Sequence, residues 1–175
     1  MAKKMGLPIN KFIAATNSNS IFTDFITSGQ YEPQSSVKTL SNAMDVGAPS
    51  NIARIQAIYG KHSVIIKDIA SNTHNDAQTI EKIKDIYQKY NYIIDPHGAV
   101  GMLAFEQFAT EENLDNYSGI VVETAHPAKF KETVDDALGT NVELPEALLK
   151  CITKEKKTTK LSSDYSEFKE YLLSC

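Results

Sequence analysis

Cysteine is nearly missing from this chain. Its 175 residues hold two, Cys151 and Cys175, and neither stands in the CxxC or CxxH spacing that a zinc site or a redox dithiol needs. Long apolar runs are missing too. No stretch approaches the roughly 20 residues that span a bilayer, and the opening MAKKMGLP lacks the apolar segment of a secretory signal. The expectation is a cytoplasmic protein with no membrane partner. A continuous basic field is equally absent: the formal net charge is −4 with both signs interleaved, so a nucleic-acid partner has no support. The run KEKKTTK (Lys154 to Lys160) reads as a solvated loop.

Several catalytic signatures are also lacking. There is no GxSxG elbow for a serine hydrolase, and neither GxGxxG nor GxxxxGKS to cradle phosphates. His62, His74, His97 and His126 are isolated from one another, with no HExxH or similar pair on one helix, so no metal site is expected. His62 and His74 lie in polar surroundings and read as residues with no special role. No internal repeat appears, which argues against a solenoid.

The composition that is present, 42% hydrophobic and 23% charged, is that of a soluble globular chain, one domain or part of one. Two polar runs carry most of the information. Asp95-Pro96-His97-Gly98-Ala99-Val100-Gly101 follows Tyr92 to Ile94, and Thr124-Ala125-His126-Pro127-Ala128-Lys129-Phe130 follows Gly119 to Glu123. Both preceding stretches read as buried strands, and in open α/β sheets the carboxyl ends of strands line binding crevices.

Other elements can be placed from periodicity and stop signals. AKKMG reads as the last turn of a helix whose earlier turns lie upstream, ended by Gly6. Lys11 to Thr16 is a strand, and Ile21, Phe22, Phe25 and Ile26 mark a short helix ended by Gly29. Val37 to Gly47 reads as an extended segment leading into a turn. Pro49, Ile52, Ile55 and Ile58 predict a helix ended by Gly60. Ser63 to Ala70 fits strand and helix equally. Thr73 with Asp76 is a capping-box variant ahead of a helical stripe through Ile80, Ile83, Tyr87 and Tyr90. A helix through Leu103 and Phe108 follows Gly98, and another around Val134 and Leu138 ends at Gly139. Pro145 opens a helix through Ile152, and Asp164 with Glu167 opens the last one. Alternation of this kind implies a largely parallel sheet covered by helices.

Taken together, NAMDVGAPSN (Asn42 to Asn51), DPHGAVG and ETAHPAKF (Glu123 to Phe130) resemble the C-terminal part of threonine synthase, of the long bacterial and fungal type. AKKMGLPINKFIAATNSN (Ala2 to Asn19) is similar to the segment after that family's cofactor-phosphate loop, and DYSEFKEYLL (Asp164 to Leu173) to its last helix. The resemblance covers nearly the whole chain in order. It implies a partial three-layer α/β sheet of the tryptophan-synthase-β-like, fold type II class. It further implies pyridoxal 5'-phosphate as cofactor and conversion of O-phospho-L-homoserine and water to L-threonine and phosphate. Residues 1–175 would form a single incomplete cofactor-binding domain with a helical tail over 145–175.

By the same resemblance Thr124 offers its hydroxyl to the pyridine nitrogen, and Asn42 and Ala43 wall the cofactor ring. A neutral hydroxyl can hydrogen-bond that nitrogen without holding it protonated. The plain alternatives are a turn-capping Thr124, a turn residue at 42 and core filling at 43. Asp95 and His97 would lie on the substrate side, with helix capping as the alternative for Asp95. Gly98 stands where relatives often carry threonine or alanine. The family's Schiff-base lysine, in an LAFKD-like motif, and its SGNFG-like loop have no match here, so no catalytic residue is expected in this piece. It should be inactive alone, complete only with the missing N-terminal part, and prone to self-association through an exposed sheet edge. Two other readings stay open: a non-enzymatic binding module for amino acids or phosphate, and a metal-dependent hydrolase using Asp95, His97 and His126.

Overall fold

The computed structural model describes residues 1–174. They divide into two compact units, Met1–Val142 and a smaller one from Glu143 onward. The first unit is built on a parallel pair of strands, β1 (Phe12–Thr16) and β2 (Ile69–Thr73), in register from Phe12 opposite Ile69 to Thr16 opposite Thr73. A parallel pair needs a long crossover. Here it carries three helices, α1 (Ile21–Ser28), α2 (Ile52–Tyr59) and α3 (His62–Asp68). Beyond β2 come α4 (Asp76–Tyr90), α5 (Pro96–Glu111) and α6 (Lys131–Leu138). Single 3₁₀ turns occupy Ala2–Met5, Asn42–Met44 and Pro127–Phe130. The second unit holds α7 (Glu146–Ile152) and α8 (Tyr165–Ser174). No helix among the described residues is long and apolar enough to cross a membrane.

Strand alternation sorts the side chains of the sheet. On one side Phe12, Ala14 and Ile69 join Phe22, Phe25, Ile52 and Ile65 in a core beneath α1, α2 and α3. Serine and threonine on that side satisfy each other: Thr16 Oγ1 meets Thr23 Oγ1 at 2.9 Å and Thr73 Oγ1 at 2.8 Å, and Thr23 Oγ1 meets Ser71 Oγ at 2.7 Å. On the other side Asn72 Nδ2 donates to Ala104 O of α5 at 3.5 Å. A second core, Ile83, Ile86, Ile94 and Ala99 with Met102, Ala137 and Leu138 against it, locks α4, α5 and α6 together.

The glycine stops stand where the sequence puts them. Gly29 (φ 78°) and Gly139 (φ 63°) take the left-handed conformation, and their N–H groups close α1 on Phe25 O and α6 on Asp135 O. Asp164 caps α8 by accepting from the N–H groups of Ser166 and Glu167. The ambiguous stretch 63–70 is both things in turn: α3 runs to Asp68 and β2 starts at Ile69.

Two expectations are corrected. The cap of α4 is Asn75, whose side chain accepts from Gln78 N–H while Gln78 Oε1 accepts from Asn75 N–H. Thr73 cannot serve, because it is the last ladder residue of β2. Tyr92–Ile94 and Gly119–Glu123 are not strands: among the described residues no backbone hydrogen bond joins either to a neighbour. An apolar segment becomes a strand only when a neighbour takes up its N–H and C=O groups. Ile120 and Val122 are accordingly 91% and 76% exposed.

His74 also departs from the expectation of polar surroundings. It is buried just beyond β2, and neither ring nitrogen has a hydrogen-bond partner among the described residues. Burial pushes the imidazole below its ordinary value of 6.5. The folded state therefore favours the neutral ring, and its stabilising contribution is complete above about pH 6.5, shrinking as pH falls below that value and the unfolded chain takes up the proton. Urea midpoints at pH 7 and pH 5 should diverge for the native chain and draw together in His74→Leu; an unchanged difference would refute this assignment.

Candidate functional site

Just past the carboxyl end of β1 the chain turns through Asn17, Ser18 and Asn19, and the two asparagines are buried. Asn17 Nδ2 lies within hydrogen-bond distance of Thr39 Oγ1 (2.8 Å), Asp45 Oδ1 (2.9 Å), Ser41 Oγ (3.1 Å) and Ser41 O (3.2 Å). Its Oδ1 accepts from the Asn19 backbone and side-chain N–H groups, both at 2.9 Å. Asn19 in turn takes both backbone groups of Val37, and Asp45 Oδ2 accepts from Thr39 N–H. These contacts tie residues 37–45 over the end of the sheet. Asp76 at the start of α4 adds a tie by accepting Leu40 N–H at 3.1 Å.

The 42–44 turn carried by this loop faces the start of α5. Asp95, fully buried, caps that helix: its Oδ1 accepts from the His97 backbone N–H at 2.8 Å and lies 2.6 Å from His97 Nδ1. His97 Nε2 accepts from Ala43 N–H at 3.2 Å. The Phe130 ring lies 4.7 Å from the His97 ring, tilted by 54°. The structure thus brings Ala43, Asp95, His97 and Phe130 to one place, so all three sequence motifs meet at one imidazole. Burial pushes the Asp95 carboxyl up, but the hydrogen bonds from the His97 ring and backbone outweigh it and hold the group below 3.8.

Glu123 organises the near side. Its Oε2 accepts from Tyr92 OH at 2.6 Å and its Oε1 from Asp95 N–H at 3.2 Å. The hydrogen bond to Glu123 and burial both push the Tyr92 hydroxyl above its ordinary value. This bracing role was not read from the sequence; the available signal was a carboxylate closing an apolar run. Gly98 fits the same spot, since a Cβ there would stand 2.7 Å from Ile94 Cγ1 and 3.2 Å from Glu123 Cδ.

Thr124 and Asn42 are exposed, and no hydrogen bond engages either side chain among the described residues. His126 is a structural residue: its Nδ1 accepts from Ala128 N–H at 3.1 Å and caps the Pro127–Phe130 turn. No three His, Cys, Asp or Glu side chains come together to hold a metal ion among the described residues.

Helices on both faces of a parallel pair, with polar groups gathered beyond the strands' carboxyl ends, follow the architecture of the fold type II class of α/β proteins. The family described as threonine synthase, C-terminal, matches residues 98–172. Threonine synthase of Haemophilus influenzae is 35% identical over 173 residues, covering 99% of this chain and 40% of the relative. That of Saccharomyces cerevisiae is 37% identical over 202 residues, covering 89% of this chain and 39% of the relative. The crystal structure of the Escherichia coli threonine synthase superposes with a TM-score of 0.84 at 32% identity, covering 99% of this chain and 39% of that one. The pyridoxal-phosphate-bound threonine synthase of Brucella melitensis gives 0.79 at 29% identity, covering 98% of this chain and 41% of that one. The chain is similar to the C-terminal part of the threonine synthases and spans about 40% of the length of these relatives.

Proposed function

We propose that this chain supplies one wall of the active site of a threonine synthase, a carbon–oxygen lyase that converts O-phospho-L-homoserine and water to L-threonine and phosphate. The observation that carries the reading is the meeting of the NAMD, DPHG and TAHPAKF motifs around the His97 ring. The residues suit the coenzyme of that family. Thr124 and Asn42 are exposed polar side chains with no engagement among the described residues, and the Asn42–Met44 turn stands beyond the sheet's carboxyl end.

Thr124 would meet the pyridine nitrogen, and Asn42 and Ala43 would wall the ring; Asp95 and His97 would lie on the substrate side. Pyridoxal phosphate supplies an electron sink for charge developing on the substrate's α and β carbons. The protein's own contribution in this piece is orientation. A hydroxyl at the nitrogen binds without imposing a full charge, and Glu123 and Asp95 keep the start of α5 fixed. The lysine that tethers the coenzyme belongs to an N-terminal part with no match in this sequence. In this reading residues 1–175 are one incomplete domain with α7 and α8 as its tail.

The test is co-expression with the N-terminal part of a relative, followed by assay of phosphate release from O-phospho-L-homoserine. The chain alone should release none and the complemented enzyme should turn over, with Thr124→Ala reduced at least about tenfold, as for the loss of one positioned hydrogen bond. Turnover by the chain alone would refute the reading; a Thr124→Ala enzyme of undiminished rate would remove that residue's role.

The exposed segment around Ile120 and Val122 should make the separate chain self-associate. Size-exclusion chromatography should show a concentration-dependent shift to larger species, abolished in Ile120→Lys. A compact monomer at every concentration would count against it.

A further inference from the structure

We infer that His97 is a positioning residue: held by Asp95 with its proton on Nδ1, it accepts the Ala43 amide proton at Nε2 and latches the 42–44 turn in place. The two ends of that loop are tied down through Ser41 and Asp45 in the Asn17 network. The middle is exposed, and the Ala43 bond is the only hydrogen bond from residues 42–44 to a distant part of the chain among the described residues. An imidazole nitrogen that accepts cannot carry the proton. With Nε2 occupied as acceptor, the proton sits on Nδ1, where Asp95 Oδ1 receives it at 2.6 Å.

Asp95, which holds the ring, is itself held. Asp95 Oδ1 accepts the His97 backbone N–H as well, so one oxygen both caps α5 and aims the ring. The Asp95 N–H rests on Glu123, and Phe130 lies 4.7 Å from the ring. A rigid helix start thereby sets the height of the turn, the kind of support a binding wall needs from the residues behind it. The consequence for coenzyme binding rests on the reading of Asn42 and Ala43 as that wall; the latch itself does not.

The experiment compares the native chain with His97→Phe, His97→Asn and His97→Gln. Gln can place an oxygen near the Nε2 position, Asn keeps only the reach toward Asp95, and Phe loses both. Long-range ¹H–¹⁵N spectra of the native chain should show the His97 proton on Nδ1. Amide exchange at Ala43 should speed about tenfold in the Phe and Asn variants, the loss of one hydrogen bond, and return to within about threefold of native in Gln. Exchange at Ile83 and Ala104 should stay unchanged, marking an intact core. A proton on Nε2, or equal Ala43 exchange in Gln and Phe, overturns the latch. In the complemented enzyme, pyridoxal-phosphate affinity should fall in Phe and recover in Gln. Affinity that ignores all three variants while Ala43 exchange responds to them overturns the wall reading and leaves the latch standing.

Discussion

Asn17→Ala is expected to lower the unfolding free energy by about 3 kcal/mol, near the upper end of single-site losses. The side chain is 1% exposed and satisfies groups on both sides of itself: the Asn19 amides on one, Thr39, Ser41 and Asp45 on the other. Truncation strands the buried Asn19 backbone N–H, whose acceptor is Asn17 Oδ1, at about 1–3 kcal/mol, and removes the Nδ2 bonds to Thr39, Ser41 and Asp45, which keep one another, at about 1 kcal/mol more. Chemical denaturation monitored by circular dichroism provides the measurement, with exposed Ser18→Ala as the control that should change little. A loss for Asn17→Ala below about 1 kcal/mol would show that water enters and replaces the side chain.

The second large effect is expected at Asp95. Asp95→Ala removes the cap of α5, worth about 1 kcal/mol, and strands the His97 Nδ1–H, worth about 1–3 kcal/mol more. A total of about 3 kcal/mol is expected from these two losses. Asp95→Asn keeps an oxygen for both donors and should cost less. Because the folded carboxyl is held below 3.8, its contribution is present in full above that value and is lost as pH falls through the lower folded value. The acid limb of the native stability curve should therefore be shallower in Asp95→Asn. Equal losses for Ala and Asn, with unchanged acid limbs, would mean that the carboxylate is not the group that holds the ring.

The helices were legible because their signals are local. Apolar stripes, Gly29 and Gly139 as stops, and Asp164 as a cap all act within a few residues. The strand β2 was harder, since Ala70-Ser71-Asn72-Thr73 lacks an apolar alternation. It is a strand whose polar side chains find partners on Thr23 of α1, Thr16 of β1 and Ala104 O of α5. Conversely, Tyr92–Ile94 and Gly119–Glu123 have strand composition without a strand's hydrogen bonds among the described residues. Asn17 and Asn19 read as a turn, which they are, but the network they build depends on Asp45, and no spacing rule connects positions so far apart. The motifs pointed to Asp95, His97 and Ala43 separately. Their meeting at one ring, with Glu123 and Tyr92 behind it, is a product of tertiary packing.

The register of β1 on β2 also governs how this unit reaches its shape. Phe12 lies opposite Ile69, 57 positions further along, so the first ladder bond closes a long loop before any other strand contact rewards it. Collapse of α1, α2 and α3 onto their shared core would shorten that loop in advance. Nucleation is therefore expected in the helical crossover, with zippering of the two strands as a later and slower event.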